Sequence, residues 1–133
     1  MNLRVCIDVP DMEKGIAFYR DGLGLTVGRR YRDDWTEMLG APAPLDLLKQ
    51  AAGTQPSPSS TTKRSYERHW TPVHLDFVVD DLHAALEKAV AAGATVEQPA
   101  KDRPYGRIAV LADPFGNGFC LLEMRGRGYD EML

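Results

Sequence analysis

The segment Leu3-Arg4-Val5-Cys6-Ile7-Asp8-Val9-Pro10-Asp11-Met12 returns downstream, in pattern, as Val73-His74-Leu75-Asp76-Phe77-Val78-Val79-Asp80-Asp81-Leu82. In each copy apolar and polar residues alternate, which is the period of a strand buried on one face. An Asp then opens a run at helical spacing, where its carboxylate can accept a free N–H of the first turn. A chain made of two such copies must fold one unit twice, so the topology of either half constrains the other. Arg4 and His74 hold equivalent places, each seven residues ahead of the Asp at 11 or 81. The first copy therefore carries a cation where the second carries an imidazole.

The same periodicities extend through both halves. In the first, Met12, Ile16, Phe18 and Tyr19 recur at helical spacing, and Gly22 and Gly24 end the helix. Residues 25–31 and 35–39 predict strands joined by a turn at Asp33-Asp34, and 45–49 a further strand after the Pro-broken segment 41–44. In the second, 70–79 predicts a strand, Asp80 or Asp81 caps a helix running to Ala92, and Gly93 supplies a left-handed stop. Residues 95–98, 107–112 and 118–124 complete the set, with Asp113-Pro114-Phe115-Gly116-Asn117 as a turn between the last two.

Residues 1–50 thus form a first βαβββ module and 69–124 a second. Between them, 51–68 is rich in Gly, Pro, Ser and Thr and reads as a flexible linker. The polar tail 125–133 is expected to be mobile or packed on a neighbouring subunit. A sheet covered by one helix leaves its other face needing a partner. The predicted fold class is accordingly α+β: two tandem βαβββ modules forming paired curved mixed sheets with a central cavity. Whether the modules pair within one chain or across a homodimer stays open.

Strand alternation also sorts the polar residues. The helices must cover the side bearing Val5, Ile7, Leu75 and Phe77, which puts Arg4, Cys6, Asp8, His74, Asp76 and Val78 on the opposite face. Aligning 45–49 with 119–123 makes Asp46 and Cys120 equivalent. A net charge of −3 argues against non-specific nucleic-acid binding. No apolar run reaches the roughly 20 residues needed to span a bilayer. With no basic-then-apolar leader at the N-terminus, a cytoplasmic location without membrane association is expected. The two cysteines lack metal-ribbon spacing and are expected as buried, reduced thiols.

The duplicated unit resembles the vicinal oxygen chelate superfamily: glyoxalase I, extradiol dioxygenases, and bleomycin and fosfomycin resistance proteins. The resemblance is carried by Asp11-Met12-Glu13-Lys14-Gly15-Ile16-Ala17-Phe18-Tyr19 with Gly22-Leu23-Gly24-Leu25. It is carried equally by Val78-Val79-Asp80-Asp81-Leu82 with Ala92-Gly93-Ala94, and by the closing Asp113-Pro114-Phe115-Gly116-Asn117. In metal-dependent members it implies one ligand on the first and one on the last strand of each half, usually His, Gln or Glu. Those positions here are Arg4, Asp46, His74 and Cys120.

A guanidinium stays protonated and offers only donors, so Arg4 cannot coordinate. A fixed positive charge about 5 Å from a divalent ion would cost roughly 6 kcal/mol at an effective dielectric near 20, before ligand charges offset part of it. The resemblance therefore implies a degenerate metal site and no cofactor. On this reading a small anionic or aromatic organic ligand is bound through Arg4, Asp46, His74, Asp76 and Cys120, with no catalytic residue assigned. Arg4 could clamp an anion through its planar fork, or close an internal salt bridge with Asp46 or Asp76. The alternative is a lyase, isomerase or dioxygenase in which His74, Asp46 and Cys120 hold one divalent metal such as zinc. Met38, Trp35, Tyr31 and Tyr105 are candidates to line an aromatic pocket.

Overall fold

The computed structural model describes all of residues 1–133. It divides into two compact units, Met1–Glu67 and Arg68–Leu133. In the first, β1 (Val5–Val9), α1 (Met12–Ala17), β2 (Thr26–Tyr31), β3 (Trp35–Leu39) and β4 (Leu45–Lys49) follow in order. The sheet order is β1-β4-β3-β2. β1 and β4 run parallel while the other pairs are antiparallel. The second unit repeats this with β5 (Leu75–Val78), α2 (Leu82–Ala91), β6 (Thr95–Arg103), β7 (Gly106–Ala112) and β8 (Gly118–Met124). Its order is β5-β8-β7-β6, with β5 parallel to β8. The α+β fold of two βαβββ modules read from the repeat is the fold of the chain.

Both helices start as their sequences dictate. Asp11 Oδ1 accepts from Lys14 N at 3.0 Å, and Asp81 Oδ1 from Ala84 N at 3.0 Å. Each is an N-cap of the kind worth about 1 kcal/mol. The first helix differs from its prediction at the far end: after Ala17 it widens into a π turn at Phe18–Gly22. Phe18 and Tyr19 are both buried there. The turn seats them edge to face, with ring centroids 5.0 Å apart. Below, Gly15 lets α1 approach the Val9 and Leu47 side chains. Val9, Leu47, Met38 and Met12 are almost fully buried, each side chain contributing about 1.5–3 kcal/mol of transfer free energy.

The second module departs from expectation in its strand lengths. β5 covers only residues 75–78 of the apolar run, because its pairing begins at Leu75 opposite Phe119. Upstream, Pro72 has no N–H to donate, and Trp70 and Val73 are exposed. β6 instead runs on to Arg103, through two register shifts that accommodate Pro99. Pro is tolerated there because β6 is an edge strand. The Asp113 turn forms as expected: its buried carboxylate accepts from Phe115 N, Asn117 N and Asn117 Nδ2 at 2.8–2.9 Å. Gly116 takes φ +83° there.

Two segments are more ordered than their composition suggests. The stretch after β4 has no helix or strand, yet Gly53 N donates to Arg64 O and Arg64 N to Thr54 O, each at 2.8 Å. Arg64 Nε also reaches Asp8 Oδ2 at 2.8 Å, tying the segment back to β1. The tail forms a 3₁₀ turn at Gly128–Met132, and Tyr129 lies against Tyr105 with ring centroids 4.9 Å apart. No helix is long and apolar enough to cross a membrane.

Gly106 opens β7 at φ +149°, where a Cβ would collide with the Glu123 carbonyl oxygen. Gly106→Ala is expected to destabilise the protein by about 3 kcal/mol or more. Gly53→Ala, at φ +79° with nothing within 4 Å, should cost only about 1 kcal/mol. Urea unfolding midpoints of the two variants measure the difference.

Candidate functional site

The two parallel strand pairs decide which side chains meet. In the first module Cys6 lies directly opposite Asp46, and Glu37 of β3 lies opposite Asp46 on its other side. Directly opposed residues share a face, so Cys6, Asp46 and Glu37 line the side away from α1. Arg4, two residues before Cys6, points the same way. Its Nε and Nη2 donate to the two Asp46 oxygens at 2.7 and 2.6 Å, and Nη2 also donates to Glu37 Oε2 at 2.6 Å. Arg29 of β2 completes the cluster, donating from Nε to Glu37 Oε1 at 3.1 Å and from Nη2 to Oε2 at 2.7 Å.

The two carboxylate side chains are 5% exposed, whereas those of Arg4 and Arg29 are 40% and 73% exposed. Two acids packed side by side would repel if left alone. Two forked cations lie over them, so the cluster is neutral and its outer layer is guanidinium. Hydrogen bonds from Arg29, then from Arg4, pull the Glu37 carboxyl down from its ordinary 4.5 to about 2, burial opposing them. Arg4 is raised in turn, chiefly by its bonds to Asp46 and then Glu37. Of the two fates open to Arg4 from sequence, the internal ion pair with Asp46 is the one that forms. It does not remove the clamp, because Nη1 makes none of these bonds.

In the second module Asp76 lies directly opposite Cys120, and His74 precedes Asp76 by two residues on the same face. His74 Nε2 is 3.2 Å from Asp76 Oδ1. One ligand atom from each of His74, Asp76 and Cys120 falls within 4.8 Å of the others. The Cys120 thiol is buried and pushed up to about 11, first by loss of solvent and then by the neighbouring Asp76 carboxylate. A thiol held in its neutral form is a poor nucleophile at neutral pH. The expectation that both cysteines are buried fails at Cys6, which is exposed. It occupies the face that α1 does not cover.

The four family ligand positions do not fit a metal in this chain. Arg4 is a cation already joined to the Asp46 carboxylate, so the first module supplies no available pair of donors. The aromatic candidates also separate. Met38 is core, Tyr31 is exposed, and Tyr105 packs on Tyr129. Trp35 alone joins the cluster, with Arg29 Cζ 5.9 Å from its ring centroid. Sequence reasoning missed Glu37 and Arg29. The available signal for Glu37 was an acid between two apolar-flanked strand positions, Thr36 and Met38.

Against known proteins, the sequence profile of a glyoxalase-like domain matches residues 4–122. The chain is 35% identical over 117 residues to the anthracycline biosynthesis protein DnrV of Streptomyces peucetius, covering 86% of this chain and 39% of that protein. It spans two fifths or less of the length of the curated relatives it matches. Among solved structures it superposes on the fosfomycin resistance protein FosX of Listeria monocytogenes with a TM-score of 0.73 at 18% identity, covering 100% of this chain and 98% of that one. A glyoxalase-related enzyme from Fulvimarina pelagi gives 0.69 at 18% identity, with 92% and 88% covered. At such identity these two likenesses concern the fold alone.

The Glu37 shift has a definite sign. Its folded value lies below its ordinary one, so it adds stability above about pH 4.5 that is lost as pH falls toward about 2. Thermal midpoints of the wild type should fall more steeply across that window than those of Glu37→Gln. A thiol-labelling time course at neutral pH should show one fast reaction, abolished by Cys6→Ser, and a slow one at Cys120.

Proposed function

We propose, for a chain that belongs to the glyoxalase-like domain family of the vicinal oxygen chelate superfamily, that it binds a small organic anion without the family's four-position metal site. The observation that carries this is the cluster of Arg4 and Arg29 over Glu37 and Asp46. The buried acids hold the two forks in place, so little side-chain entropy is lost when a further acceptor arrives. A ligand carboxylate or phosphate meets a pre-formed donor edge. The Trp35 ring beside Arg29 offers a flat apolar surface to an aromatic body.

The name of the Streptomyces peucetius relative, an anthracycline biosynthesis protein, supports a small organic molecule as the ligand. Cys120 is not used as a nucleophile on this reading, and no step passes through a metal. No reaction is assigned to His74 or Asp76.

Arg29→Gln is the milder variant, because Arg4 keeps its bonds to both Asp46 oxygens and to Glu37 Oε2. A panel of aromatic carboxylates and their neutral methyl esters, titrated by Trp fluorescence in chelator, tests the reading. The acids are expected to bind and the esters about tenfold or more weaker, with Arg29→Gln losing a similar factor for the acids alone. Equal affinity for acid and ester, or binding abolished by the chelator, would overturn it.

A further inference from the structure

The face that carries the Arg4–Arg29 cluster continues one row further, toward the turn between β2 and β3. Leu48 lies opposite Asp8 on one side and Trp35 on the other, and Trp35 lies opposite Tyr31. Opposed residues share a face, and Trp35 is two places from Glu37 on the same strand, so this row is on the face of the cluster. Leu48, Trp35 and Tyr31 form an apolar strip across three strands, beside the charged row of Cys6, Asp46 and Glu37. Tyr31, at its outer end, is 58% exposed.

The turn adds a cation at that end. Arg32 Cζ lies 5.2 Å from the centroid of the Tyr31 ring, within the range of cation–π attraction. The other arginines of the first unit, Arg4, Arg20, Arg29, Arg30 and Arg64, each have a carboxylate partner. Arg32 forms no ion pair. Asp33, the acid that follows it, is engaged by Lys49 and Arg30. Arg32 is also the one residue other than glycine at positive φ, +52°, a region that a Cβ disfavours. A long, unpaired cation thus occupies a position where glycine would be free of strain, and strain of this kind gathers at ligand-contacting residues.

From these observations, and resting on the anion reading of the cluster, we infer that the ligand is an aromatic compound with two acidic groups. One acid meets the donor edge of Arg4 and Arg29, the aromatic body lies along Trp35 and Tyr31, and Arg32 takes the second acid. Arg29 and Arg32 are three residues apart, about 10 Å of extended chain, a span that suits acids at opposite ends of a two-ring frame. A monoacid leaves Arg32 idle, and a ligand with a cationic second group is repelled by it.

Calorimetric titration of the full chain with a naphthalene dicarboxylate, its acids at opposite ends, and with the monomethyl ester of the same compound tests this. The two share one frame and differ by one charge. The diacid is expected to bind about fivefold tighter, the scale of one exposed ion pair. Arg32→Gln should erase that advantage and leave the affinity of the monoester unchanged. Arg32→Lys, which keeps the charge without the fork, should retain part of it. Arg30→Gln removes the same charge from β2, but Arg30 is paired with Glu13, so there the advantage should survive. Equal affinity of the two compounds for the wild type, an advantage that persists in Arg32→Gln, or its equal loss in Arg30→Gln would each overturn the inference. If the monoester itself does not bind, the anion reading falls and this inference falls with it.

Discussion

Parallel pairing of the first and last strands of each module is the constraint from which the rest follows. A parallel pair cannot be closed by a hairpin, so the chain must cross over between them. In both modules the crossover begins with a capped helix, which covers one face of its own sheet. The register of that pair then fixes what stands opposite what. Shifting it by one residue would send Asp46 or Cys120 to the helix side, and the polar clusters would become buried charges without partners.

That consequence explains why the first module needs its arginines. Two carboxylates at 5% exposure are tolerable only when paired and hydrogen-bonded, since removal from water without partners costs several kcal/mol for each ion. The Arg4 and Arg29 guanidinium groups supply five bonds to them between them. The arginine stems leave the guanidiniums near water, so the desolvation falls mostly on the acids. The second module solves the same geometry with fewer charges: a buried neutral thiol, a half-exposed acid and an exposed imidazole.

Much of the fold was legible because strand period and turn chemistry are local. β3, β4 and β8 occupy the predicted residues, and the Asp113 turn has the bonding its sequence implies. What escaped was set by partners distant along the chain. β5 is short because its pairing with β8 begins only at Leu75 opposite Phe119, and β6 is long because β7 pairs with it as far as Arg103. The π turn at Phe18–Gly22 has no signal in the helical spacing of its residues. Arg4 with Asp46 was visible as one of two outcomes, but Glu37 and Arg29 come from β3 and β2. Their convergence requires a register that no local pattern discloses.

β2 and β6, each at one edge of its sheet, have a feature in common that bears on how an exposed row of amides is kept from being copied. Each is interrupted: β2 between Val27 and Arg30, β6 at two places around Pro99. A regular edge displays an even row of amide groups that another chain can copy, whereas a bulged one twists that row out of line. β6, the longest strand in the protein at nine residues, would otherwise be its most inviting template. Its irregularity, together with Lys101 and Asp102, makes it a poor seed for fibrils.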